Sequence, residues 1–155
     1  FYSALHVYDF SLNPQLFSRE FDLTRLSLSD EKRVTNKIRI CTASNIVLYV
    51  KNHETGKKKY SEKFNYLVFK DSLENKIKSA GKKYRYLLKY TDDLAIVPLN
   101  EQTHWNSLYG FKIPTISGEF IVVGNKDLVN FMFDAGMGKE TGSGFGLAKV
   151  VQQFD

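Results

Sequence analysis

Gly136-Met137-Gly138-Lys139-Glu140-Thr141-Gly142-Ser143-Gly144-Phe145-Gly146 holds five of the chain's ten glycines in eleven residues. Glycine loses more backbone entropy on folding than any other residue, so this density calls for positive φ angles or close approach of a second backbone. Amides with no side chains around them also suit phosphate oxygens. A flexible connection from helix to strand is the plainer reading of the same composition. Two known glycine loops are excluded by chemistry. A P-loop follows Gly-Lys with Ser or Thr, whose hydroxyl binds magnesium. Here Gly138-Lys139 precedes Glu140, an acid that would repel a nucleotide. A dinucleotide-binding turn runs from strand into helix. Here a helical pattern comes first and a strand pattern follows, and Thr141 stands where the third glycine belongs.

The segment before the loop, residues 125–135, puts Leu128, Val129, Met132 and Phe133 on one helical face, with Asn125 as the N-cap. The segment after it, residues 147–151, reads as a closing strand. Glycine-apolar-glycine, five residues, then glycine-aromatic-glycine, set between such a helix and strand, resembles the C-terminal signature of the CRISPR-associated endoribonucleases that process precursor CRISPR RNA. These belong to the repeat-associated, ferredoxin-like superfamily. Gly136, Met137, Gly138, Gly144, Phe145 and Gly146 carry the resemblance. It implies a ferredoxin-like fold, usually two copies in tandem, with the glycine loop at the cleft between them and close to the RNA path. It also implies metal-independent cleavage, in which the 2′-hydroxyl attacks and a 2′,3′-cyclic phosphate is left. The family's catalytic histidine usually lies in the first copy, so no catalytic residue is carried over to this chain.

Working outward, the order of elements is read from the residues alone. Alternation over 21–28 argues for a half-buried strand, followed by a charged turn at 29–33. Residues 37–42 and 45–50 read as one long or bulged strand region, and 52–57 as a loop. From 61 to 79, Phe64, Leu67, Val68, Leu73 and Ile77 recur at helical spacing, closed by Gly81. The polar face of that helix carries Lys63, Lys70, Lys76 and Lys78. Residues 84–90 lean towards helix. Residues 94–99 form a short apolar segment before a polar loop with Gln102, His104 and Trp105. Residues 108–113 and 119–123 read as a hairpin turning at Pro114-Thr115-Ile116-Ser117-Gly118. The order strand, helix, hairpin, helix, strand is the split β-α-β unit of an α+β, ferredoxin-like (β-α-β-β-α-β) fold: an antiparallel sheet with helices on one face. Residues 31–155 hold one such RNA-binding domain with its C-terminal glycine-rich loop. Residues 1–30 are expected to be a linker or the tail of a preceding ferredoxin-like domain, the chain being read as a fragment because it begins at Phe1.

With 155 residues, 43% of them hydrophobic, the chain can build one core. No apolar run is long enough to span a bilayer and no signal peptide is read, so a cytoplasmic location away from membranes is expected. A single cysteine, Cys41, excludes an internal disulfide and a cysteine-cluster zinc site. The three histidines, His6, His53 and His104, show no metal-ligand spacing, so neither metal nor cofactor is expected. The net charge of +5 is unevenly spread: residues 51–90 hold 12 Lys or Arg against 4 Asp or Glu, and the remainder 10 against 13. A basic segment on a mildly acidic body is the footprint of a polyanion-binding face; a solvated lysine-rich helix is the bland alternative.

The candidate RNA-binding residues are therefore Gly136, Gly138, Lys139, Gly142, Gly144 and Gly146 in the loop, with Lys57, Lys58, Lys59, Lys82, Lys83 and Arg85 in the basic segment. Lysine is a point charge suited to backbone phosphates. Tyr60, Tyr84 and Tyr86 interleave with these cations and could stack on bases or serve the core. His6 reads as structural, His53 as exposed and His104 as a loop histidine. The expected partner is CRISPR repeat RNA; other CRISPR-associated proteins and a homodimer are compatible with the resemblance. A non-catalytic RNA-binding subunit of a CRISPR effector complex is the alternative to a processing endoribonuclease. A ferredoxin-like domain for protein or small-molecule contacts is the third reading.

Overall fold

The computed structural model describes residues 35–154 and the backbone of 15–16 and 19–20. The chain divides into two compact units, Phe1–Lys32 and Arg33–Asp155. The described part of the first is a short antiparallel ladder of β1 (Gln15–Leu16) and β2 (Arg19–Glu20). The strand expected over 21–28, the charged turn after it at 29–33, and His6 lie outside the described residues.

The second unit runs through β3 (Lys37–Thr42), a small hairpin of β4 (Tyr49–Lys51) and β5 (Lys58–Tyr60), α1 (Tyr66–Ala80), a 3-10 helix (Lys82–Tyr90), β6 (Ala95–Leu108), β7 (Phe111–Val123), α2 (Lys126–Ala135) and β8 (Ala148–Gln153). Four strands form one sheet in the order β6-β7-β3-β8, every neighbouring pair antiparallel. This is the ferredoxin-like sheet order, so the α+β class and the order of elements read from the residues both hold.

Alternation in β3 explains which face is covered. Ile38 and Ile40 are fully buried and pair with Val122 and Phe120 of β7, while Lys37 and Arg39 point the other way. Onto the apolar face pack Phe69, Leu73 and Ile77 of α1 and Leu128, Val129 and Met132 of α2. The positions 69, 73 and 77 are four apart and so share one stripe of the helix. Burying each such side chain is worth about 1.5–3 kcal/mol.

Several boundaries differ from the sequence reading. The helix expected from residue 61 starts at Tyr66, because Asn65 caps it: its side chain accepts from the Val68 N–H. Phe64, read as the helix's first apolar residue, precedes the cap and packs on Phe69 and Phe120, a hydrophobic staple. Residues 84–90 are helical as expected, within the 3-10 segment. The long strand over 37–50 does not form. After Thr42 the chain leaves the sheet, and 45–48 instead bridges to Ile116 and to the glycine loop.

The largest correction concerns the hairpin. Residues 100–107, read as a polar loop, belong to the 14-residue β6, and the turn lies at Tyr109-Gly110. Both turn residues have positive φ, 49° and 82°, which suits the right-handed twist of a two-residue hairpin. Pro114 was misread as turn punctuation. It faces Trp105 where β7 has run past the end of β3, whose pairing stops at Cys41-Glu119, so the missing N–H costs no ladder bond to β3. Gly118 sits against Asn100 at a bulge in β6, where a Cβ would collide with the Asn100 carbonyl.

At α2 the expected cap is present: Asn125 Oδ1 accepts from the N–H groups of Asp127 and Leu128. Replacing Asn125 with Ala should lower the stability of the chain by about 1 kcal/mol in urea unfolding, with an unchanged m-value. No loss would mean that the cap does not hold α2.

Candidate functional site

The eleven-residue glycine loop joins α2 to β8, and its backbone is stitched to the core. Gly136 ends α2 with φ 76°. The Met137 N–H donates to the Gly146 carbonyl at 2.8 Å, and the Gly146 N–H donates to the Asn45 carbonyl at 2.8 Å. The Lys139 N–H donates to the Val47 carbonyl at 2.7 Å. The buried Ser72 hydroxyl of α1 donates to the Gly138 carbonyl at 3.0 Å. Met137 between these bonds is 1% exposed and belongs to the core.

The glycines therefore divide into two kinds. At Gly146 a Cβ would run into the Met137 backbone, and at Gly138 it would lie 2.5 Å from the Val47 carbonyl oxygen; both have positive φ. Close backbone approach demands glycine there. Around Gly142 and Gly144 there is open space. These two lie at the tip, where Thr141–Ser143 makes one 3-10 turn.

Three neighbours hold or flank the tip. Glu140, in a left-handed conformation at φ 57°, accepts from Lys58 Nζ of β5 at 2.8 Å and from the Tyr49 hydroxyl of β4 at 3.2 Å. The acid that seemed to oppose an anion is thus neutralised by Lys58. The Lys58 ammonium also sits 4.4 Å from the Tyr49 ring centroid. The hydrogen bond to Glu140 raises the pKa of Lys58 far above the lysine value, while burial is the main cause that raises Tyr49. On the other side, the Tyr109 hydroxyl at the β6–β7 tip lies 3.0 Å from the Ser143 hydroxyl. Beneath the loop's first residues, Lys76 of α1 donates to the carbonyls of Ala135 and Gly136 at 3.1 and 2.7 Å, satisfying the C-terminus of α2. Burial, with help from the nearby Lys139 charge, lowers Lys76 to about 8.

Lys139 and Lys58 thus share one corner: Lys139 Nζ lies 5.7 Å from the same Tyr49 ring and makes no ion pair among the described residues. Lys57 and Lys59 are exposed on and beside β5. Lys82, Lys83 and Arg85 are exposed on the 3-10 helix. Tyr60 packs edge-on against Tyr49 and Tyr84 against Phe131, so both have a packing role; Tyr86 is 49% exposed. His104 lies within β6 and meets the Ser117 hydroxyl at 2.7 Å, while His53 is exposed in the β4–β5 turn. Neither makes a hydrogen bond to the glycine loop among the described residues.

Lys76, Tyr49, Asn45 and Ser72 were not singled out as loop residues. Their signal is tertiary: each is separated from the loop by more than fifty residues. The face of the sheet opposite α1 and α2 has Arg39, Ile121 and Val97 across its centre, with Arg39 paired to Glu119. These are not aromatic, so that centre lacks the stacking platform by which four-stranded RNA-binding sheets hold bases. No group of three or more metal-ligating side chains occurs among the described residues, and no helix there is long and apolar enough to cross a membrane.

The family model described as CRISPR associated protein Cas6, C-terminal, matches residues 28–150. No curated protein matches the chain. Among solved structures, a Cas6-related protein from Pyrococcus furiosus is similar at a TM-score of 0.63 and 18% identity, covering 81% of this chain and 52% of that one. A CRISPR associated protein Cas6 is similar at 0.62 and 20%, covering 82% and 52%. A RAMP protein described as binding different RNA substrates is similar at 0.61 and 19%, covering 78% and 51%. The chain spans about half the length of these solved relatives.

The two kinds of glycine should respond differently to one methyl group. Gly146→Ala should destabilise the chain by about 2–4 kcal/mol, from positive-φ strain plus the backbone collision, whereas Gly142→Ala should stay within about 0.5 kcal/mol of the parent. Thermal and urea unfolding measure both. Equal losses would mean that the stitching seen here does not set the glycine requirement.

Proposed function

This chain belongs to the CRISPR-associated Cas6 C-terminal family, and from that premise we propose that it binds CRISPR repeat RNA at the glycine loop and takes part in metal-independent processing of precursor CRISPR RNA. The observation that carries this reading is the loop itself. It is fastened to the core at Gly138 and Gly146 and leaves its tip open between Tyr109 on one side and Lys58 and Lys139 on the other. With Lys58 spent on Glu140, a fixed loop that carries Lys139, which makes no ion pair among the described residues, suits a phosphate backbone, because such a site loses little freedom when the anion arrives. Lys57 and Lys59 extend the charge along the β4–β5 hairpin, and Lys82, Lys83 and Arg85 provide a second basic patch. Two structural relatives, one described as a Cas6 product complex and one as a RAMP protein binding different RNA substrates, lend support at the level of the fold.

The reaction would proceed by attack of the 2′-hydroxyl on the adjacent phosphate, with a base, an acid and a cation in the respective roles. Lys139, which makes no ion pair among the described residues, is the loop's cation for the third role. The base is not assigned to any described residue. Because His53 and His104 make no bond to the loop, a non-catalytic RNA-binding subunit of a CRISPR effector complex is the second reading.

The experiment that separates the two uses the whole protein that carries this chain, its cognate repeat RNA and excess EDTA, with analysis of the product ends. A single cut leaving a 2′,3′-cyclic phosphate and a 5′-hydroxyl is the expected result. Intact RNA in a tight complex would establish the binding subunit instead, and no complex at all would overturn both.

A further inference from the structure

An open groove lies between α1, the 3-10 helix, the C-terminal end of α2 and the first residues of the glycine loop. Lys76 of α1, Tyr84 of the 3-10 helix and Lys139 and Thr141 of the loop are among its lining residues. We propose that this groove is a site for one phosphate group, gripped between Lys76 and Lys139 and finished by the Tyr84 and Thr141 hydroxyls. The phosphate is either a backbone phosphate of bound RNA or free inorganic phosphate. The first source rests on the RNA-binding reading above, and the second does not.

The donors are present and unused. The Lys76 ammonium has three N–H groups and spends two on the carbonyls of Ala135 and Gly136. Lys139 spends none on an ion pair among the described residues, and neither do Tyr84 and Thr141 place their hydroxyls in any hydrogen bond there. The charges are also incomplete. A half-buried ammonium gains from a counter-charge, and the negative end of α2 supplies only a partial one. Two ammonium groups close enough for Lys139 to depress Lys76 repel each other, and an anion between them turns that repulsion into two attractions.

The acids around the groove do not fill this role. Glu140 of the loop is taken by Lys58 and Tyr49, and Asp134 of α2 is exposed to solvent and makes no ion pair among the described residues. On α1, the polar neighbours Asn75 and Ser79 are bonded within their own helix. Two cations and two hydroxyls match one tetrahedral anion rather than a run of phosphates.

The test follows the lysine side chains of the full chain by NMR during titration with inorganic phosphate. Because Lys76 also caps α2, the variants are Lys139→Met and Tyr84→Phe, which leave that cap intact. Saturable shifts confined to Lys76 and Lys139 are expected, with the Lys76 pKa moving up from about 8 towards the ordinary lysine value. Phosphate affinity should drop roughly 10-fold in Lys139→Met and by less in Tyr84→Phe. Repeat RNA that displaces phosphate identifies the RNA backbone as the source. Phosphate that binds saturably in the groove while RNA leaves it in place, or fails to bind, supports free phosphate as the ligand; failure of RNA to bind counts against the RNA-binding reading alone. A silent Lys76, or a response unchanged in Lys139→Met, overturns the phosphate site even where RNA binds elsewhere on the chain.

Discussion

The loop's geometry depends on backbone meeting backbone without side chains between them. Gly146 lies on Met137, and Gly138 lies on Val47, each at a distance that a single methyl group would prevent. These contacts let the loop fold back on itself and pair with residues 45–47, which have just left the sheet at the end of β3. The Met137 side chain can then join the core. The loop is therefore part of the domain's packing at its base and free only at its tip. This is the opposite of a flexible linker, and it accounts for glycine at positions where entropy alone would argue against it.

The electrostatics follow from that frame. Once Glu140 is held at φ 57° beside β5, its carboxylate falls to Lys58, and Lys139 is left without an ion pair among the described residues. Lys76 is pinned below by the carbonyls that end α2. Charge is thus sorted by position, not by count. Of the many lysines between residues 51 and 90, one is spent on fixing the loop, one on capping a helix, and another, Lys70, on Asp92 and Glu74. The exposed remainder, including Lys57, Lys59, Lys82, Lys83 and Arg85, is what a polyanion can use.

The features legible in the sequence were those written in local pattern. The spacing of Leu128, Val129 and Met132, the cap at Asn125 and the alternation of β3 locate their elements to within a few residues. The ferredoxin-like order followed from placing such elements in series. What misled was punctuation. Pro114 and Gly118 resemble a turn, yet the pairing of β6 with β7 runs through both, and the turn forms at Tyr109-Gly110. Residues 100–107 carry too few apolar side chains to read as a strand because that part of the hairpin projects beyond β3, and little of it is buried. The long strand over 37–50 failed because Ile46, Val47 and Leu48 are buried by the loop and the helices, which an apolar run cannot distinguish from burial in a sheet. At the site, the glycines were found by composition, but Asn45, Tyr49, Ser72 and Lys76 reach the loop only through the tertiary fold.

The proposed function requires the fixed loop and its surrounding lysines to meet a phosphate backbone. The most direct test is the salt dependence of repeat-RNA binding by this chain, compared with a variant in which Lys57, Lys59 and Lys139 are all replaced by Glu. A linear fall of log affinity with log salt is expected, with a slope shallower by roughly 2–3 in the variant, since each of the three lost phosphate contacts removes about 0.7–0.9. Equal affinity and equal slope in the two proteins would contradict it.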